Sequence, residues 1–201
     1  MAKDDQGQTT GMNLFDRDRV RLGKAQARSE LRDDIHRAAY QRGDVKLDSG
    51  VHQAYFIDKY LMVARPATLR RLSRFLAEMI PPKVERVSAP TLGAVALGTA
   101  VSLETGLPLA IVRTHLDQSR GGHPDEGGIR RGEAVVMIED VVVTGSRALQ
   151  AVDRLRESGA HVDTVVCVLD CERGAADLLS NNGLRLSALS RYSSFTSSRD
   201  T

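Results

Sequence analysis

The chain has 201 residues, of which 41% are hydrophobic and 27% are charged, and its formal net charge is +2. This length and composition predict a single globular domain with a buried core. So small a net charge argues against a nucleic-acid-binding protein, and the sequence has no apolar run of the length that a membrane span needs. The N-terminus also lacks the apolar stretch of a secretory signal, so we expect a cytoplasmic protein.

The N-terminal third of the sequence predicts an arm, a helical region and a hairpin. Residues 1–12 are polar, which predicts a flexible arm. Apolar residues at helical spacing within 16–42 predict one or two amphipathic helices that end at Gly43. Over 44–58, short apolar segments on either side of a Ser-Gly turn predict a pair of strands.

From Pro66 onward, helical and extended patterns alternate. Pro66 is expected at the first position of a helix. The predicted strands span 84–89, 107–112, 135–138, 162–169 and 183–189, and the predicted helices span 67–80, 96–104 and 148–158. Residues 170–179 are predicted as a turn and a helix. This alternation predicts an α/β fold with a central parallel sheet flanked by helices. Cys167 is expected in its core, and the Ser/Thr-rich residues 193–201 are expected to fray.

Residues 134–147 contain the pattern with the clearest chemical use. A buried strand over 135–138 is followed by Glu139, Asp140, three apolar residues and a Thr-Gly-Ser turn that opens a helix. Such a turn offers backbone N–H groups, hydroxyls and a positive helix end to a phosphate. Carboxylates at the carboxyl end of a parallel strand suit sugar hydroxyls and, through water, Mg²⁺. The alternative is an ordinary strand–turn–helix in which the acids are turn and N-cap residues.

This stretch resembles the motif with which type I phosphoribosyltransferases bind 5-phosphoribosyl 1-diphosphate (PRPP). The resemblance implies that Glu139 and Asp140 hold the ribose hydroxyls and, through water, Mg²⁺. It also implies that Glu139, Asp140 and Arg113 are the catalytic residues. The residues that it assigns to PRPP binding lie in two segments and are Thr91, Leu92, Gly93, Glu139, Asp140, Val143, Thr144, Gly145, Ser146 and Arg147.

The predicted hairpin resembles the N-terminal hood of orotate phosphoribosyltransferases, where a Leu-x-Ser-Gly turn precedes an aromatic strand. This resemblance implies a single domain with a hood over about 13–65 and a core over about 66–192. The residues that it places beside the base are Lys46, Tyr55, Phe56 and Arg173. For the two aromatic residues, ordinary core packing is the alternative.

Residues 113–131 form a long, polar, glycine-rich loop, and loops of that kind are usually functional. The resemblance implies a catalytic lid that folds over PRPP in a neighbouring subunit's site, and therefore a homodimer. The lid residues that it singles out are His115, Asp117, Arg120 and His123. Four positions depart from the family pattern. Thr114 and Asp117 stand in place of lysines, Ser119 stands in place of an aromatic residue or a histidine, and Cys171 stands in place of an arginine that helps hold orotate. Either other basic lid residues replace the lost charges or the lid chemistry is weaker.

The sequence therefore predicts an orotate phosphoribosyltransferase-like enzyme with Mg²⁺ as cofactor. It would transfer the 5-phosphoribosyl group of PRPP to a nitrogen of orotate or a related heterocycle and release pyrophosphate. Two alternatives stay open. One is a regulatory or non-catalytic protein of the same fold that binds PRPP or a nucleotide, and the other is a structural partner of an active homologue.

Overall fold

The structure is a computed structural model that describes residues 23–46, 52–90, 92–113 and 125–196. Its helices are α1 (Lys24–Ala39), α2 (Lys59–Val63), α3 (Pro66–Ala77), α4 (Val95–Thr105), α5 (Ser146–Glu157), α6 (Ala175–Asn181) and α7 (Ser193–Thr196). Its strands are β1 (Tyr40–Lys46), β2 (His52–Ile57), β3 (Arg86–Pro90), β4 (Leu109–Val112), β5 (Asp125–Glu126), β6 (Ala134–Val142), β7 (His161–Asp170) and β8 (Arg185–Arg191).

Six strands form the central sheet in the order β5-β4-β3-β6-β7-β8. The pairs from β4 to β8 are parallel, and the short β5 adds an antiparallel edge beside β4. The predicted parallel α/β sheet is therefore confirmed. Parallel pairing brings the carboxyl ends of these strands to one edge, where α/β folds bind their ligands.

Helices cover both faces of the sheet, which explains the unbroken apolar run at the start of β6. Val136 and Ile138 belong to a core cluster that contains buried side chains of α3 and α4, whereas Val135 and Met137 belong to a second cluster with α5. Cys167 is fully buried in β7, as predicted. None of the helices within the described ranges is both long and apolar enough to cross a membrane.

The ends of several elements follow local rules that the sequence makes visible. Pro66 opens α3, as predicted, because its fixed φ suits the first turn and its missing N–H has no partner there. Gly106 ends α4 with a φ of 74°, a left-handed conformation that glycine adopts without strain. Gly159, after α5, has a φ of 92° for the same reason.

Two predicted boundaries are wrong. Gly43 does not end the first helix: α1 stops at Ala39, and Gly43 lies inside β1, where antiparallel pairing with β2 takes over. The central strand does not end before the acids, because β6 continues to Val142 alongside β7. The fraying of residues 193–201 stays a prediction: within the described part of this tail, the backbone N–H of Ser193 donates to Glu172 Oε2 at 2.7 Å and α7 follows.

The hairpin of β1 and β2 forms a separate two-stranded sheet between α1 and α2. Its register shifts between Arg42 and Val45. The proposed arm over 1–12 lies outside the described residues. The division into a hood and a core stays a prediction.

Candidate active site

Glu139 and Asp140 are held inside the sheet at its carboxyl edge. They are consecutive residues of β6, which lies between β3 and β7, and they are 8% and 1% exposed. Glu139 pairs with Cys167 in the register of β6 and β7. The backbone N–H of Val141 donates to Asp140 Oδ1 at 2.6 Å. The acids are therefore strand residues, and the alternative in which they are turn and N-cap residues is wrong.

Lys59 approaches Asp140 from outside the sheet. It is the first residue of α2, directly after Asp58, whose side chain caps that helix by accepting from the backbone N–H groups of Tyr60 and Leu61. Lys59 Nζ lies 3.1 Å from Asp140 Oδ2. That oxygen is buried and has no partner with hydrogen-bond geometry among the described residues, so the contact is an ion pair. One lysine thus offsets the charge of a buried carboxylate.

The turn between β3 and α4 comes so close to this ion pair that a side chain at Gly93 would collide with it. A Cβ atom at Gly93 would lie 2.1 Å from Asp140 Oδ2 and 2.6 Å from Lys59 Nζ. Leu92, next to it, is 72% exposed. Ala94, at the N-cap position of α4, provides no side-chain cap. The turn therefore presents backbone beside the carboxylate, which is the use of glycine where a ligand or another chain segment approaches.

A second turn follows β6 and opens α5. Gly145, at its N-cap position, has a φ of 82°, and a Cβ there would lie 3.3 Å from Ala175 Cα. The hydroxyl oxygens of Thr144 and Ser146 lie 3.1 Å apart on the exposed side of the turn. Val143 and Arg147 are also exposed. Two hydroxyls and an uncapped helix start make this turn suited to an anion.

Glu139 does not have the pKa of an ordinary glutamate. Burial and the negative charge of Asp140 raise the pKa of Glu139 from its usual 4.5 to about 8, although Lys59 and Arg147 act in the opposite direction. Glu139 is therefore mostly protonated at neutral pH and can donate a hydrogen bond. A buried acid that stays protonated beside a second acid is typical of a functional site.

No protein-family model matches the chain. An orotate phosphoribosyltransferase from Natronomonas pharaonis is 36% identical over 164 residues, which cover 81% of this chain and 94% of that protein. The chain belongs to the orotate phosphoribosyltransferase family. Another member, from Thermoplasma volcanium, is 38% identical over 162 residues, or 80% of this chain and 95% of that protein.

A solved structure of this family has the same fold. The Mycobacterium tuberculosis orotate phosphoribosyltransferase, solved in complex with PRPP, superposes with a TM-score of 0.71 at 26% identity. The match covers 85% of this chain and 99% of that one. The resemblance that the sequence suggested is thus confirmed at the level of family and fold.

The described residues bring together much of the predicted PRPP site. Most of the predicted base-binding and lid side chains lie outside the described residues. Glu139, Asp140 and Gly93 come together, and the turn over 143–147 continues from the same strand. Arg113 follows the end of β4 at the same edge of the sheet and is half-buried.

The predicted base-binding residues are only partly described. Lys46 ends β1, and Tyr55 and Phe56 lie in β2, but their side chains lie outside the description. Arg173 is exposed after β7, while Cys171, two positions before it, is 6% exposed and buried in the core. Thr91 and the four lid residues His115, Asp117, Arg120 and His123 lie outside the described residues.

Lys59 is the residue of this site that sequence reasoning missed. It belongs to none of the predicted motifs, and its partner lies on a strand far along the chain. The only local signal is the position of Lys59, directly after a strand and a helix-capping aspartate. That signal locates Lys59 at the start of a helix but does not indicate that it pairs with Asp140.

Proposed function

We propose that this protein is an orotate phosphoribosyltransferase, which transfers the 5-phosphoribosyl group of PRPP to a ring nitrogen of orotate and releases pyrophosphate. The observation that carries the proposal is the buried Glu139–Asp140 pair beside the Gly93 turn, in a chain of this family. Relatives that match most of their length and a related protein solved with PRPP support it.

The proposed roles follow the chemistry of each segment. Asp140 accepts hydrogen bonds from the ribose hydroxyls, and the protonated Glu139 donates one, so that the pair orients the sugar. The turn over 143–147 receives the 5-phosphate, and the turn over 91–94 receives the diphosphate. Arg113 contributes positive charge at the same edge. We assign the base to Lys46, Tyr55, Phe56 and Arg173.

In the reaction, the ring nitrogen attacks C1 of the ribose as the bond from C1 to the diphosphate oxygen breaks. The electron pair of that bond leaves with pyrophosphate, and the proton of the ring nitrogen goes to solvent. Positive charge grows on the ribose in the transition state. The buried carboxylate of Asp140, fixed by β6 before substrate arrives, stabilises that charge without reorganisation.

Mg²⁺ is the cofactor that we propose. The donors fit it, since both side chains provide oxygen ligands and Asp140 Oδ2 is a buried oxygen without a hydrogen bond. Asp140 and Glu139 would hold the ion through water. The described residues contain no cluster of three metal-ligating side chains, so the remaining ligands would come from substrate and water. When bound, Mg²⁺ neutralises part of the diphosphate charge.

We further propose a homodimer in the cytoplasm. In it, the loop that contains His115, Asp117, Arg120 and His123 acts as a lid over the site of the neighbouring subunit. This assembly rests on the family resemblance. Thr114 and Asp117 add no positive charge to the lid, which favours a second candidate: a protein that binds PRPP without turnover.

The test measures pyrophosphate release and orotate absorbance with PRPP and Mg²⁺, in the presence and absence of orotate. We expect turnover that needs orotate and falls by about 10²–10³ in Asp140→Asn. Asp153→Asn, an exposed change on α5, is the matched control and is expected to leave turnover unchanged. Thermal stabilisation by PRPP without turnover would favour the second candidate or another heterocycle. No stabilisation by PRPP would overturn the proposal.

A further inference from the structure

We propose that Lys59 is a catalytic residue of this site, whose ammonium group contacts the diphosphate of bound PRPP and stabilises the oxygen that leaves C1. This inference rests on the proposed function and adds to it a cation that comes from α2. None of the motifs in the sequence assigns Lys59 a role.

The position of the ammonium group carries the inference. Lys59 Nζ lies 3.1 Å from Oδ2 of Asp140, the residue proposed to receive the ribose hydroxyls. The same atom would lie 2.6 Å from a Cβ at Gly93, so it also touches the turn proposed to receive the diphosphate. One cation therefore lies where the ribose part and the diphosphate part of the site meet. The bond that breaks in the reaction joins those two parts.

The surroundings of Lys59 hold it there without burying it. Its side chain is 32% exposed, whereas that of Asp140 is 2% exposed, so the ammonium group closes the outer side of a buried carboxylate. Nζ also lies 5.6 Å from the centre of the Tyr60 ring, within the range of a cation–π contact. A ligand arriving from solvent meets Lys59 before it meets Asp140.

The ion pair leaves Lys59 free to serve substrate. An ammonium group has three N–H donors, and its contact with Asp140 Oδ2 lacks hydrogen-bond geometry. When PRPP binds, the ribose hydroxyls donate to Asp140 while Lys59 turns donors toward the diphosphate. As the bond from C1 to oxygen breaks, the electron pair stays on that oxygen, and Lys59 shares the new negative charge through its N–H groups. Lys59 keeps its proton throughout.

The experiment separates the diphosphate contact from the sugar contact. Binding of inorganic pyrophosphate, ribose 5-phosphate and PRPP is measured by calorimetry for wild type and Lys59→Met, which keeps an unbranched side chain, one atom shorter, and removes its charge. We expect the Kd for pyrophosphate and for PRPP to rise about 10- to 100-fold, as for the loss of a hydrogen bond to a charged group. The Kd for ribose 5-phosphate should change much less. Lys83→Met, an exposed change in the turn before β3, is the control and should change none of them.

A second comparison covers the case in which Lys59→Met leaves Asp140 unpaired and the protein fails to fold. Asp140→Asn and Asp140→Asn/Lys59→Met differ only at Lys59, and neither leaves an unpaired carboxylate at position 140. The double variant should bind pyrophosphate more weakly than the single one by the same 10- to 100-fold. In the steady state, Lys59→Met should lower kcat as well as weaken PRPP binding, and Lys59→Arg should recover part of both.

The outcomes distinguish this inference from the proposed function. If wild type binds PRPP and turns over but pyrophosphate affinity does not depend on Lys59 in either comparison, Lys59 is not a catalytic residue and the enzyme assignment stands. A loss of ribose 5-phosphate affinity equal to the loss for pyrophosphate would also overturn the inference, because it would indicate a general structural role. If wild type itself binds neither PRPP nor pyrophosphate, the proposed function fails first.

Discussion

Replacing Arg86 with methionine should destabilise the protein, because Arg86 forms a buried ion pair near the start of β3. Its Nε donates to Glu133 Oε2 at 3.1 Å, and the two side chains are 10% and 1% exposed. Nη1 also donates to the carbonyl oxygen of Gly127 at 2.9 Å. The methionine would leave a buried carboxylate and a carbonyl without these donors.

The size of the effect follows from burial. Removing one partner of a buried ion pair costs about 3–5 kcal/mol. Arg130 still donates to Glu133 twice, from its backbone N–H at 2.9 Å and from Nη2 at 3.1 Å, so we expect the lower end, about 3 kcal/mol. For a chain of this length that corresponds to a fall in Tm of about 6–12 °C.

Arg130→Met is the matched control. Its Nη2 lies at the same 3.1 Å from the same carboxylate, but its side chain is 71% exposed, and an exposed pair contributes at most about 1 kcal/mol. The free energy of unfolding of wild type and both variants is measured with urea at neutral pH. Equal losses for Arg86→Met and Arg130→Met would show that burial does not decide the strength of these pairs, which would refute the reasoning.

The difference between wild type and Arg86→Met should also depend on pH. Burial alone would raise the pKa of Glu133, but hydrogen bonds from Arg86 and Arg130 outweigh it, and the pKa lies below the usual 4.5. A lowered pKa means that the contribution of this carboxylate to stability is present above pH 4.5 and is lost as the pH falls through the folded value. The gap in stability between the two proteins should therefore narrow in acid. A constant gap from neutral to acidic pH would contradict this.

Other predictions concern the site acid, the thiols and one helical glycine. Because the pKa of Glu139 is raised to about 8, its contribution to stability is full below pH 4.5 and is lost as the pH rises toward 8. In thermal melts without ligand, the Tm of Glu139→Gln should rise relative to that of wild type as the pH increases from 4.5 to 8. If the two proteins lose or gain Tm in parallel over this range, the prediction is wrong. Burial raises the pKa of Cys171 to about 11 and raises that of Cys167 as well, so neither thiol forms the reactive thiolate readily in the folded protein. An aromatic disulfide that reacts with thiols should therefore label both cysteines at pH 8 only after unfolding. Fast labelling of the native protein would contradict this. Gly98→Ala should lower the free energy of unfolding, measured with urea, by about 1–3 kcal/mol, because its Cβ would lie 2.6 Å from Ala89 Cβ. A gain in stability would show that β3 moves to make room for the methyl group.

Much of the fold could be predicted because its signals are local. The apolar run before Glu139 predicts a buried strand whatever surrounds it, and Pro66 and Gly106 mark helix ends through their own backbone preferences. Gly43 shows the limit of this reasoning. A glycine after a helical pattern usually ends the helix, but here the pairing of Tyr40 with Ile57 begins the strand first.

The site was predictable as a motif but not as an arrangement. Sequence patterns end a strand at the first charged residue, whereas β6 passes through Glu139 and Asp140 because β7 pairs with it as far as Val142. The ion pair of Asp140 with Lys59 depends on how α2 packs against the carboxyl edge of the sheet, and no local pattern encodes that. The close approach of Gly93 to Asp140 Oδ2 links the turn between β3 and α4 to the acid, and only the three-dimensional structure shows it.

The anchoring of α7 has a practical consequence for following ligand binding by fluorescence. In the register of the sheet, Val142 pairs with Asp170 and Asp170 pairs with Arg191, so the end of β8 lies two strand spacings, about 10 Å, from the end of β6. Ser193, tied to Glu172, fixes the start of α7 at that place. A dye attached to a cysteine introduced in α7 would therefore lie close enough to the end of β6 to respond to a charged ligand bound there.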